Sequence, residues 1–455
     1  MDNRAAIAAI RFGLGRTPGQ DPAPGPEAWL RAQLAGPDPA PRDGATIADA
    51  FTALRLDRED RRARKAAGSD AAKPPAKPPA RARAIFHAET QALLGYAAVT
   101  ATPFRERLVR FWANHFTVSI RNGGVAPFVG AYVRDAIRPH VTGRFADMLL
   151  AVMRHPAMLI YLDNVRSAGP HSQAGLRRHR GLNENLAREC LELHTVGAEA
   201  GYTQRDVTQF AAILTGWSVE PRQEPLGFRF RPMLHEPGGK TLMGHAFPDG
   251  EQGGEQALAW LADHPATHRH LATKLVRHFV ADTPPEAAVR AVQGALRNTH
   301  GNLGAAALAV IDLPGAWQPL TKLRSPQDFL LAAMRAAAMR PTPIRATVGL
   351  PAMSTGRPPN LQALSAALGE PAFNAPLPNG WPDTAAEWAS PEGLMRRVDW
   401  AYGYAGRPDL PEPMQLADAA LGPLLTPSTA AAIRHAGSRR DGITLLLASP
   451  ELQRR

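Results

Sequence analysis

Between Asn183 and His194 the chain reads Asn-Glu-Asn-Leu-Ala-Arg-Glu-Cys-Leu-Glu-Leu-His, placing three carboxylates, a guanidinium and an imidazole in one short stretch. In a helix, at ~100° per residue, Glu184, Asn185, Arg188, Glu189 and Glu192 share an arc of about 140°. Leu186, Cys190, Leu191, Leu193 and His194 take the other side. Turned to solvent, the polar arc is a ladder of i,i+4 pairs worth only ~0.3–0.5 kcal/mol each. Turned toward another helix, the same arc makes Glu189 and Glu192 metal ligands or an acid–base pair, with Arg188 orienting them or holding an anionic substrate. Spacing alone leaves both readings open.

Twelve of the fifteen histidines lie between His115 and His278, so the middle of the chain is where imidazole chemistry would occur. His115 falls on the apolar arc of the run Phe104–Phe116, with Leu108, Phe111 and Trp112. Desolvation there lowers its pKa and keeps it neutral, the form that ligates a metal or accepts a proton. A core histidine bonded to a carbonyl has the same sequence signature. His235-Glu236-Pro237-Gly238-Gly239-Lys240-Thr241 reads as a loop in which His235 or Glu236 could exchange a proton and Lys240 could hold a phosphate or carboxylate. It is not a phosphate-binding loop of the GxxxxGK[ST] type, because the first glycine position is Leu234. His264 and His268 have i,i+4 spacing without the HExxH glutamate, which removes the metalloprotease reading; His264, ahead of Pro265, reads either as a helix cap or as a functional imidazole. There is no GxSxG elbow and no GxGxxG opening a βα unit.

The elements that must position these groups are helices. Three-to-four spacing of apolar residues predicts a mostly α, irregular multi-helix bundle, with helices near 26–35, 83–100, 103–118, 183–197, 203–216, 265–281, 303–311 and 325–338, among others. Thr203 and Asp206 form a capping box, and Pro265 suits a first helical turn. The one β signal is a small hairpin near 217–231. Residues 339–390 are Pro-rich and read as loops around Trp381 and Trp388. The 455 residues exceed a single core and divide as 1–56, a basic linker at 57–82, a central domain at 83–338 carrying the site, and 339–455 packing on it. Residues 61–83 hold a net +7 of the chain's +11, which fits a solvated tract better than a nucleic-acid face, although it could touch phosphates. Cys190 is the only cysteine, so an intrachain disulfide and a thiolate metal cage are excluded. No run is apolar for long enough to span a bilayer. Arg4 and Arg11 interrupt the first apolar stretch, a poor secretory signal. A soluble, cytoplasmic protein is expected.

Eight ordered motifs resemble a known group, the bacterial domain-of-unknown-function family 1800. They are FWANHF, HPAMLIYLDN, GLNENLARECLELHTVG, YTQRDV with AILTGW, HEPGGKTLMG, HPATHRHLATKL, LRSPQDF and NGWP. The resemblance runs from Arg11-Phe12-Gly13 to Ala448-Ser449-Pro450-Glu451 and implies a single helical family unit without an assigned activity. Its recurrent polar positions fall on His115, Asn183, Glu184, Arg188, Glu189, Glu192, His235, Lys240, His264 and Lys274. A solvated helix face has little reason to be a family signature, so the resemblance favours a buried or site-facing polar helix. Many relatives look exported, and this chain departs from them in its N-terminus. It departs again at Ala113, where the family often has the first histidine of FWHNHF, so a two-histidine site there is not expected.

The expectation is therefore an enzyme using a Glu/Arg/His cluster, with or without a divalent metal, on an anionic or polar substrate. Glu189, Glu192, Arg188, His235 and Lys240 are its catalytic candidates, and Glu189, Glu192 and His115 its metal ligands. The alternative is a non-catalytic scaffold or partner-binding protein in which the polar helix only fixes packing. A cavity shared by Glu189, Glu192, His115 and His235 would favour the first.

Overall fold

A computed structural model describes residues 3–20, 25–66, 80–178, 181–338 and 360–455. Prolines set many of the helix starts. Pro26, Pro103, Pro156, Pro265, Pro326, Pro391, Pro413, Pro427 and Pro450 each occupy a first helical position, where the missing N–H is no loss. Side chains just before them take up the orphaned N–H groups: Ser325, Ser390, Thr426 and Ser449 do so. His155 and His264 cap in the same way, accepting from Ala157 and Ala266. The Thr203–Asp206 capping box is present.

The described residues are mostly helical, with two antiparallel two-stranded sheets. Trp217–Glu220 pairs with Gly227–Phe230, Trp217 facing Phe230. A second hairpin, Lys240–Leu242 with His245–Phe247, lies in the segment read as an irregular loop. Its strands are too short for an alternating pattern to show. The run Ala126–His140 forms consecutive short helical turns. Residues 127–133 are all buried, so no polar stripe marks their period. Leu361–Ala367 and Pro413–Ala420 are further helices that Pro-rich composition concealed.

The basic tract starts later than expected. Asp57 is still inside the helix Ile47–Ala66, and its carboxylate accepts from Arg81 N (2.9 Å) and Ala82 N (3.1 Å), capping the helix Arg81–Val99. Residues 67–79 lie outside the described residues.

Two sets of buried apolar side chains form the interior, one drawn mainly from residues 8–316 and one from Phe329 onward with Leu94, Ala97 and Ala98. The N-terminal helical turns Asn3–Ile7 and Ala8–Phe12 wedge between them. Ala8 and Phe12 enter the first set, while Ile7, Ile10 and Leu14 enter the second. Arg11, buried on this wedge, donates to the carbonyls of Phe279 (2.9 Å), Val280 (3.2 Å) and Gln318 (2.8 Å). It thereby holds the carbonyl end of the helix Pro265–Phe279, where a cation is favoured by the helix dipole.

Candidate active-site cleft

The central motif forms a short α-helix, Asn185–Glu189, that widens into a π turn, Cys190–His194. Its outer stripe is a surface network. Glu184 accepts from Arg188 (3.0 Å), Gln204 (2.8 Å) and Thr208 (2.6 Å), fastening the motif to the helix Gln204–Leu214. Those bonds, the Thr208 hydroxyl first, hold the Glu184 carboxyl below its ordinary pKa. Glu189 and Glu192 are half-buried and make no hydrogen bond or ion pair among the described residues. Burial, and then the neighbouring Glu192, pushes the Glu189 pKa up.

Imidazoles from distant parts of the chain do reach this motif, but at its carbonyls rather than its carboxylates. The last turn of a helix leaves its C=O groups without intrahelical partners. Here His270 Nε2 donates to Leu193 O (3.0 Å) and His115 Nε2 donates to His194 O (3.1 Å). Thr195 Oγ1 takes Cys190 O and Gly197 N takes Leu191 O. Each bonded histidine is thus fixed with its proton on Nε2 and a lone pair on Nδ1. Burial, then Lys274, drives His115 well below its ordinary pKa, and the same causes push His194 to about 3 and His270 to about 4. The three rings form a cluster, with His115 centred 5.9 Å from His194 and 6.2 Å from His270.

Glu189, Glu192 and His115 are therefore not assembled as the ligand set the sequence suggested. The carboxylates lie on one side of the motif and His115 is committed at its carbonyl end. Among the described residues no group of three or more His, Cys, Asp or Glu is placed to hold a metal ion. His235 and Lys240 are together, but elsewhere. His235 Nδ1 donates to Thr215 O (2.7 Å), while its Nε2 accepts from Gly250 N (3.0 Å) and Lys240 Nζ (3.1 Å). Lys240 also pairs with Asp249 (3.1 Å) and donates to Glu236 O. This network ties the second hairpin to the first.

The cleft that gathers titratable groups lies between the helices Pro103–His115 and Pro265–Phe279 and has a volume of about 500 Å³. Arg107, Arg110, Asn114 and His115 line one wall, and His270, Lys274, Arg277 and His278 the other. Residues 379–384 roof it. Asn114 fastens that roof, donating to Trp381 O (2.9 Å) and accepting from Trp381 N (2.8 Å). Gly380 makes the fit possible, since its φ is +80° and an added Cβ would lie 2.5 Å from Asn114 O.

The cleft's aspartates are already paired. Asp328 bridges Arg107 (2.9 Å) and Arg455 (3.1 Å), and Asp383 meets His278 (2.5 Å) and Arg455 (3.4 Å). Asp282 holds Lys322. Burial opposes the ionisation of Asp328 and Asp383, but the surrounding cations outweigh it and hold both far below the usual carboxylate range. Glu370, by contrast, is pushed up to about 7 by burial. Arg110, Lys274 and Arg277 have no carboxylate within ion-pair distance among the described residues. Lys274 makes no hydrogen bond there either, and burial pushes it down to about 8.

Of these residues, the sequence reading singled out His115 and Lys274 and passed over Arg277, His278, Asp328, Asp383 and Arg455. The available signal was the i, i+4, i+7, i+8 stripe of His270, Lys274, Arg277 and His278. Five of the eight resemblance motifs supply the lining, through Phe111–His115, Leu193, His270 with Lys274, Ser325 with Asp328, and Asn379–Pro382. A family model described as "Protein of unknown function (DUF1800)" matches residues 7–454. The chain belongs to the DUF1800 family. Searches of curated proteins and of solved structures find no match. DUF1800 membership thus fixes kinship over nearly the whole chain, and the chemistry has to be argued from the cleft.

Proposed function

We propose that this DUF1800 chain is an enzyme acting on a small anionic substrate held in the cleft between the helices Pro103–His115 and Pro265–Phe279. One observation carries the reading: Arg110, Lys274 and Arg277 converge on a cleft whose aspartates are all taken by other cations. Unpaired cations in a partly desolvated site attract an anion more strongly than the same charges in bulk water. Burial keeps the imidazoles beside them uncharged at neutral pH, so they meet a substrate through hydrogen bonds and not through charge. His115, expected as a metal ligand, lines this cleft as a neutral ring anchored to His194 O. Glu189, Glu192 and Arg188 belong to the motif's outer face, and His235 with Lys240 to the hairpin network.

Thermal unfolding in sulfate, phosphate and small carboxylates, against chloride at equal ionic strength, tests the reading. An anion at ten times its Kd stabilises by about 1.4 kcal/mol. We expect such a gain in the wild type and its loss in Arg277→Gln and Arg110→Gln. Equal gains in all three proteins would refute the cleft as an anion site.

The scaffold reading keeps one specific support. The Glu184–Arg188–Gln204–Thr208 and His235–Lys240–Asp249 networks are fully engaged in joining segments, which is the behaviour of structural polar groups.

A further inference from the structure

We propose that Lys274 is a nucleophile that condenses with the carbonyl group of a small 2-oxo acid in this cleft. The inference rests on the anion-binding reading above and adds the substrate class and the bond that forms. Lys240 and Lys322, the other two lysines in the interior, are both fully occupied. Lys240 is bonded to Asp249, His235 and a carbonyl, and Lys322 to Asp282 and the Asp383 carbonyl. Lys274 alone of the three faces a cavity with no hydrogen bond or ion pair among the described residues.

Its surroundings disfavour the ammonium form. The groups packed near it are the neutral imidazoles of His115, His194 and His270, with Arg277 one turn on and the Asp383 carboxylate acting from the roof. With the amine pushed down to about 8, its uncharged fraction at pH 7 is on the order of a hundred times that of an ordinary lysine. Arg110 and Arg277 supply charge for a carboxylate. A carbonyl adjacent to a carboxylate is the small electrophile that both features recognise.

The step balances without an oxidant. The uncharged amine attacks the carbonyl carbon, a C–N bond forms, and the C=O π bond breaks with the oxygen taking a proton. The carbinolamine then expels that oxygen as water, with one further proton, leaving a protonated imine.

The test incubates the full chain with glyoxylate, pyruvate or 2-oxoglutarate, reduces with cyanoborohydride and maps the adducts by mass spectrometry. Only six lysines occur, at 65, 73, 77, 240, 274 and 322, so the modified peptide is easily assigned. We expect a stable adduct on Lys274, formed on the order of tens of times faster than on exposed Lys65 and absent from Lys274→Arg. No adduct, or labelling of Lys65 at an equal rate, overturns the proposal, and mapping the wild type does not depend on whether the variant folds. If anions still stabilise the wild type through Arg277 while no adduct forms, the imine is wrong and the anion cleft stands. If neither occurs, both are wrong.

Discussion

At the scale of single residues, chemistry and structure have separated. The residues that drew attention first, Glu189 and Glu192, are half-buried and unbonded, so Glu189→Gln removes no contact. We expect it to change stability by no more than about 0.5 kcal/mol, as an ordinary surface substitution does. A melting-temperature loss of several degrees would show a partner that the described residues do not contain. Lys274 behaves oppositely. Its folded pKa of about 8 lies below the ordinary 10.5, so the fold carries a cost for the protonated form that is full below pH 8 and relieved as pH rises toward 10.5. Lys274→Met should therefore melt higher than wild type at pH 7, with the gap closing across that window. A gap independent of pH would mean that the amine is not desolvated. His115 illustrates why spacing could not decide: ligand and capping histidines both sit on apolar arcs, and only the carbonyl that meets Nε2 tells them apart.

Among the elements, helix starts were legible because their causes are local. Pro265, the Thr203–Asp206 box and the His264 cap each act within four residues. The π turn at Cys190–His194 was not, because a 100° step assumes α geometry throughout. A π turn holds one residue more than an α turn. Deleting Glu192 should regularise the helix yet swing the Leu193 and His194 carbonyls away from His270 and His115. We expect the deletion to abolish anion stabilisation while retaining helical circular dichroism, and retained anion binding would argue against carbonyl anchoring of the imidazoles. The Asp57 cap escaped notice because it joins residues on either side of the basic tract. Asp57→Ala should cost about 1–2 kcal/mol by leaving the N–H groups of Arg81 and Ala82 unbonded, measurable by urea unfolding.

For the molecule as a whole, the helical class and the family were readable from pattern and motif, whereas the cleft was not, because its walls come from segments far apart in sequence. Arg107, Asp328 and Arg455 illustrate this, with 221 residues separating the first two. Removing Asp328 leaves the buried Arg107 guanidinium without a carboxylate and Arg455 with Asp383 alone, and Asp328→Ala should cost about 3–5 kcal/mol. Because the folded carboxyl is depressed, its contribution is present above the unfolded value near pH 4 and is lost as pH falls below it. Acid unfolding of wild type should be steep in that range, and flatter in Asp328→Ala. The roof at residues 379–384, the wedge carrying Arg11 and the closing strand contact of Arg455 with Lys322 all bear on the same helix pair. No stretch of the chain forms the cleft by itself. Any proteolytic fragment, however well folded, should be silent toward the ligand, so occupancy of the cleft would report that every wall is in place.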